Sequence, residues 1–179
     1  MGDNMNETLN TLINRRSCRN FKSDMVPSEV LDKIIEAGMY APTGKGLQSP
    51  IILAVTNKDV INKLRDENRK IMGMGEEYDP FYGAPVVLVV LAKKDVFTHV
   101  YDGSLVMGNL INAAESLGVA SIWIHRAKEE FESEVGKAIL KDLVIDEEYE
   151  GIGHCCLGYQ EGDKLPAKPR KDNYVYYIK

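Results

Sequence analysis

Leu9, Leu12 and Ile13 recur at helical spacing and predict a short amphipathic helix near the start of the chain. Pro27 suits the first position of a second helix, with Glu29 near its positive end, and Leu31, Ile34 and Ile35 line one face until Gly38. Residues 40–50, YAPTGKGLQSP, are rich in Gly and Pro and read as a loop. The run IILAVT at 51–56 has the length and β-branching of a buried strand. A surface helix of mixed charge is expected at 59–72, then the loose segment GMGEEYDPFYGAP, then VVLVVLA at 86–92, the most apolar strand. From 102 to 117 apolar residues fall on nearly every helical face, among them Leu105, Val106, Met107, Leu110 and Ile111. Such a helix is buried on both sides, in the core or in a subunit interface. ASIWIH at 120–125 predicts a third strand, 129–140 a further helix, and IGHCCLGY at 152–159 a fourth strand. NYVYYI at 173–178 has strong β character but no turn joining it to a neighbour, which suits addition to another sheet, such as that of a partner subunit. Two helices precede the first strand, and no repeat or linker interrupts the chain. The expectation is a single domain over 1–179 with an α+β layer fold rather than a regular doubly wound one.

With 179 residues, 44% of them hydrophobic, the chain can bury a sizeable core. It carries 27 acidic against 22 basic residues, a formal net charge of -5. That balance argues against sequence-independent nucleic-acid binding, which runs on cations neutralising phosphates, and against an anionic membrane surface. No apolar run approaches the roughly 20 residues of a membrane-spanning helix, and the polar start MGDNMNETLN has no signal-peptide core. Gly2 stands where a myristoylation site would have it, but Asn6 replaces the preferred Ser or Thr. Three cysteines, two of them adjacent, do not make a secreted disulfide framework, so a cytoplasmic location is expected.

Several chemistries fail on spacing. His99, His125, His154 and the Cys155–Cys156 pair show no metal-ligand pattern, and the last three of these five fall on an expected core strand. Cys18 sits among arginines that would favour its thiolate, yet no His–Asp or His–Asn pair is placed to act with it. GMYAPTGKG has one residue too many between its glycines for a phosphate loop, and Gly46 replaces the Ser or Thr that would hold magnesium. GIGHCC has Cys156 in the place of the third glycine of a dinucleotide fingerprint, and DEEYE before it is no strand. What remains is charge. NRRSCRNFK, residues 14–22, holds Arg15, Arg16, Arg19 and Lys22 with no acid between them, and AKPRK near the other end holds Lys168, Arg170 and Lys171. A lone cluster reads equally well as a solvated turn pairing with surface acids. Two clusters from distant segments of an acidic chain suit a clamp on one small phosphate, Arg offering a planar fork and Lys a point charge.

These residues resemble the nitroreductase family of FMN-dependent NAD(P)H oxidoreductases. RRSCRNF is similar to its Arg-Arg-Ser-x-Arg-x-Phe motif, and EAGMYAPTGKGLQSP to its helix end and loop Ala-Pro-Ser-x-x-Asn-x-Gln-Pro. DGSLVMGNLINAAESLGVASIWI resembles its long central helix and following strand, and LGYQEGDKLPAKPRK its Gly-Tyr-Pro segment and closing Lys/Arg pair. Gly46 stands for the usual Asn, and Ser49 for the usual Pro, which removes a side-chain hydrogen-bonding partner from the loop.

The resemblance implies a central mixed or antiparallel sheet flanked by helices. It also implies an intertwined homodimer with the C-terminal strand exchanged and two FMN molecules at the subunit interface. By position, Arg15, Arg16, Ser17 and Arg19 match the motif that contacts the FMN phosphate, ribityl chain and pyrimidine edge, and Lys168 and Arg170 the pair that closes on the phosphate. Pro42, Thr43 and Gln48 match the loop near the flavin, usually supplied by the other subunit, and Ile124 and His125 follow a Trp123 near the redox edge. The implied activity passes a hydride from NADH or NADPH through flavin N5 to a nitroaromatic or quinone-like acceptor, with no catalytic side chain and no metal. The alternatives are flavin chemistry on another substrate, such as dehydrogenation, dehalogenation or flavin fragmentation, and a non-catalytic flavin-binding module.

Overall fold

The computed structural model describes residues 6–146 and 148–179; the expectation at Gly2 lies outside them. Helix α1 (Glu7–Asn14) is capped by the Asn6 side chain, which accepts from the Leu9 N–H. Helix α2 (Ser28–Met39) starts one residue after Pro27, because the proline sits just outside as the cap. Strand β1 (Pro50–Val55), helix α3 (Lys58–Met72), strand β2 (Val86–Lys93) and helix α4 (His99–Ser116) follow. Strand β3 (Ala120–Ile124), helices α5 (Ala127–Glu132) and α6 (Glu134–Asp142), and strand β4 (Tyr149–Gly158) complete the order.

The helix expected at 129–140 is two helices. Ser133 takes an extended conformation, donates to the Glu130 carbonyl and accepts the Val135 N–H, closing one helix and capping the next. The last strand begins at Tyr149, earlier than expected. Val90 pairs with Gly153 and Leu91 with Gly151, so Ile152 is an extra residue, and the Gly-Ile-Gly that imitates a nucleotide fingerprint forms a β-bulge.

All pairings in the sheet are antiparallel, in the order β1-β2-β4-β3. Strand β2 lies in the middle with Val86 to Ala92 fully buried, because helices cover both faces. Val86, Leu88 and Val90 pack with Leu31, Ile34, Met107 and Leu110 under α2 and α4. Val87, Val89 and Leu91 pack with Ile61, Leu64 and Phe131 under α3 and α5. The period-2 alternation of a strand thus feeds two cores.

Helix α4 buries one face, through Val106, Met107, Leu110 and Ala114, while Tyr101 and Leu105 on the other face are exposed. Leu9, Leu12 and Ile13 of α1 are also exposed. From Glu161 to Lys179 every residue is exposed, and 173–178 pairs with no strand of this chain. Among the described residues, no helix is long and apolar enough to cross a membrane, and no three His, Cys, Asp or Glu side chains come together to hold a metal ion.

Candidate functional site

Residues 15–19 run as an extra ribbon along β3. Ser17 bridges Ser121 in parallel, and the Cys18 N–H donates to the Ser121 carbonyl at 2.9 Å. The ribbon is fastened further on by Phe21, which bridges Gln160, and by the Glu161 N–H on the Asn20 carbonyl at 2.9 Å. A hollow of about 180 Å³ opens here, lined by Ser17, Arg19, Asn20, Gln160 and Asp163. Arg15, Arg16 and Arg19 make no ion pair among the described residues, although the chain as a whole has an excess of acids. Arg16 turns Nη1 to the carbonyls of Ile13 and Arg15, at 2.8 and 2.7 Å, closing the end of α1. Its Nε is buried with no partner among the described residues. A buried cationic donor left open in this way is what an anionic ligand would satisfy.

Cys18 is buried beneath this ribbon and its Sγ donates to the Asn20 carbonyl at 3.2 Å. Burial raises its pKa, so the neighbouring arginines do not make it a thiolate.

The loop after α2 builds a second hollow, of about 270 Å³, with Thr43, Gln48, Ile35, Met39, Ile52 and Val106 in its walls. The Gln48 N–H donates to Thr43 Oγ1 at 3.0 Å. Asp102, buried at the start of α4, accepts the Gly44 N–H at 2.9 Å and the Thr98 hydroxyl at 2.9 Å. A Cβ on Gly44 would lie 2.3 Å from Thr98 Oγ1, so a glycine is needed for that approach. Gly46 has φ +68° with open space around it, a conformation that Asn also tolerates. The family's Asn and this Gly are therefore interchangeable for the backbone, though not as hydrogen-bonding groups. Ser49 is buried, and its Oγ has no partner among the described residues. Pro42 is exposed beside the loop.

Within one chain these two hollows do not meet. The Ser17 ribbon lies beyond β3 at the sheet end marked by Val86, Leu157 and Ser121, whereas the 42–48 loop enters β1 at the opposite edge and at the end marked by Ala92 and Glu150. Six residues of strand, about 20 Å, separate the two ends, and the three strand spacings across the sheet add about 14 Å sideways. Ile124 and His125 stand at the end of β3, on the ribbon's side. Tyr82 and burial raise the pKa of Tyr78, and the charges of Arg126 and Arg19 oppose the rise. Lys168 and Arg170 sit on the exposed tail, which is tied to the body where Lys164 pairs with Glu115 of α4.

Asn68, Glu130 and the Asp102 anchor were not singled out as site residues by sequence reasoning. A signal was present for the first two: Asn68 falls on the Ile61–Leu64 stripe of α3, and Glu130 beside Ala127 and Phe131 on the buried face of α5.

Residues 12–159 match the sequence profile described as "Nitroreductase family". The chain belongs to this family. Its fold superposes with a TM-score of 0.90 on a nitroreductase with bound FMN from Bacteroides fragilis, at 28% identity over 98% of this chain and 100% of that one. An Archaeoglobus fulgidus protein named "Putative NADH dehydrogenase/NAD(P)H nitroreductase" is 26% identical over 89% of each chain. A Methanothermobacter thermautotrophicus protein of the same name is 28% identical over 65% of this chain and 60% of its own length. The α+β fold is thus that of the family, with a four-stranded antiparallel sheet and six α-helices among the described residues.

Proposed function

We propose that this chain is an FMN-dependent oxidoreductase that works as a homodimer and takes electrons from NADH or NADPH to a nitroaromatic or quinone-like acceptor. The observation that carries this reading is the unpaired arginine cluster with the buried, open Nε of Arg16. Cations left without carboxylates in an acidic chain suit an anionic ligand, and the open Nε of Arg16 is the specific donor it would satisfy.

Neither hollow alone reaches the roughly 300 Å³ at which small-molecule sites begin, and the two stand at opposite corners of the sheet. A second copy completes the site by setting its 42–48 loop against the ribbon of the first. The free edge of β1 and the exposed Tyr174, Val175, Tyr176 and Ile178 support the exchange of the C-terminal strand. Exchange would carry Lys168 and Arg170 toward the phosphate, and the bare faces of α1 and α4 would be covered in the same interface.

In such a site Arg15, Arg16 and Arg19 hold the phosphate and neutralise charge on the pyrimidine edge, a fixed electrostatic contribution that requires no proton movement. Thr43 and Gln48 orient the ring from the partner loop, and Met39, Ile35 and Ile52 exclude water behind it. Bound FMN supplies hydride acceptance and donation. Turnover of NADH or NADPH with a nitroaromatic is the direct assay: sustained oxidation is expected. Negligible turnover with both nucleotides would favour flavin chemistry on another substrate or a non-catalytic module.

A further inference from the structure

On the far side of the sheet from α4, three polar side chains are fully buried together: Asn68 of α3, Glu130 of α5 and His154 of β4. The His154 ring sits 5.1 Å from Phe81, and its Nε2 approaches Glu130 Oε2 at 2.9 Å, off the line of a good hydrogen bond. Asn68 Nδ2 donates to the same Glu130 oxygen at 3.1 Å. Asn68 Oδ1 and Glu130 Oε1 have no partner among the described residues. A cluster so incompletely satisfied is poor material for stability, since apolar residues of the same volume would serve at least as well.

What the cluster holds is one short piece of backbone. The Ile124 carbonyl faces His154 Nδ1 at 3.4 Å, and the His125 carbonyl accepts from Asn68 Nδ2 at 2.9 Å. Two consecutive carbonyls are therefore turned inward. Every peptide bond here is trans, so the N–H following each carbonyl points the other way, and the His125 and Arg126 N–H groups face away from the cluster. Arg126 is held at φ 76°, a left-handed conformation that a residue with a side chain adopts only when its surroundings impose it. The segment so fixed is the end of β3, beside the arginine ribbon.

We propose that Asn68, Glu130 and His154 are positioning residues, a buried strut that sets the His125 and Arg126 N–H groups as fixed donors toward the redox edge of the ligand at the end of β3. The proposal rests on the FMN reading above. The strut touches neither ligand nor substrate and acts through the backbone.

The test compares Asn68→Ala with Leu64→Ala, which opens the same layer one turn earlier without touching the strut. Amide exchange at His125 and Arg126, read by NMR on the protein as purified, should be about 10-fold faster in Asn68→Ala than in Leu64→Ala. The rate of reduction of bound FMN by NADH or NADPH should fall about 10-fold in Asn68→Ala alone, with FMN affinity within about 3-fold of the parent. If Asn68→Ala does not fold, Asn68→Ser gives the same two readings, because its hydroxyl is too short to reach the His125 carbonyl. Either reading matching the Leu64→Ala control overturns the proposal. A parent protein that binds no FMN would overturn the functional reading instead, while the exchange measurement would still decide whether the strut fixes the segment.

Discussion

At Arg16 one nitrogen closes the end of α1 and another stays buried without a partner, so a single side chain links a helix terminus to the candidate phosphate position. Arg170, exposed on the tail, has no such structural task, which makes it the cleaner probe. A charge-assisted bond to phosphate contributes about 1.5–3 kcal/mol, so Arg170→Ala should weaken FMN binding roughly 10- to 100-fold. Fluorescence titration would show it, and unchanged affinity would remove the tail from the phosphate site. The cysteines offer a prediction about stability. Burial raises the thiol of Cys155 from 9.0 to about 12, and lifts Cys18 and Cys156 as well. Between those two values the unfolded chain loses the Cys155 proton while the folded chain keeps it, so the thiol favours folding fully below about pH 9 and progressively less above it. Each such thiol removes at most about 1.4 kcal/mol per pH unit. The urea midpoint should fall as the pH rises from about 9 toward 11, and Cys155→Ala should fall less steeply.

Among the elements, the C-terminal segment carries the most consequence. Five large apolar side chains between Tyr174 and Ile178 are exposed in one chain, in a run with the β-branched and aromatic residues of a strand. Removing residues 173–179 should convert a dimer to monomers and release FMN, as read by light scattering and absorbance; a dimer that keeps its flavin would exclude strand exchange. How far such elements could be read from sequence depended on the range of the forces that made them. The β2 run was legible because burial is written locally, in apolar period; α4 was legible as a helix, but this chain buries only one of its apolar faces. The split at Ser133 was legible in principle as a Ser–Glu cap, but the apolar spacing runs across it and masks it. The bulge at Ile152 was not, because the extra residue exists only against the pairing of β2. At the site, the arginine ribbon was visible as a charge anomaly and through its motif. The anchoring of Gly44 by Asp102 spans 58 residues, and that of the His125 carbonyl by Asn68 spans 57, so no local pattern could join them.

For the whole molecule, the proposed site depends on two hollows that stand at opposite corners of one chain's sheet. Each is too small for a flavin, one built on the β3 edge and the other on the start of α4. The net charge of -5 and the basic ribbon fit the same account: net negative charge disfavours polyanions, while a few unpaired arginines suit one small phosphate. The most direct test is the absorbance spectrum of the purified protein, followed by anaerobic addition of NADH and NADPH. The account predicts a yellow protein with flavin bands that bleach with at least one of the two nucleotides. A protein that neither carries nor takes up FMN, or whose bound FMN neither nucleotide bleaches, would contradict it.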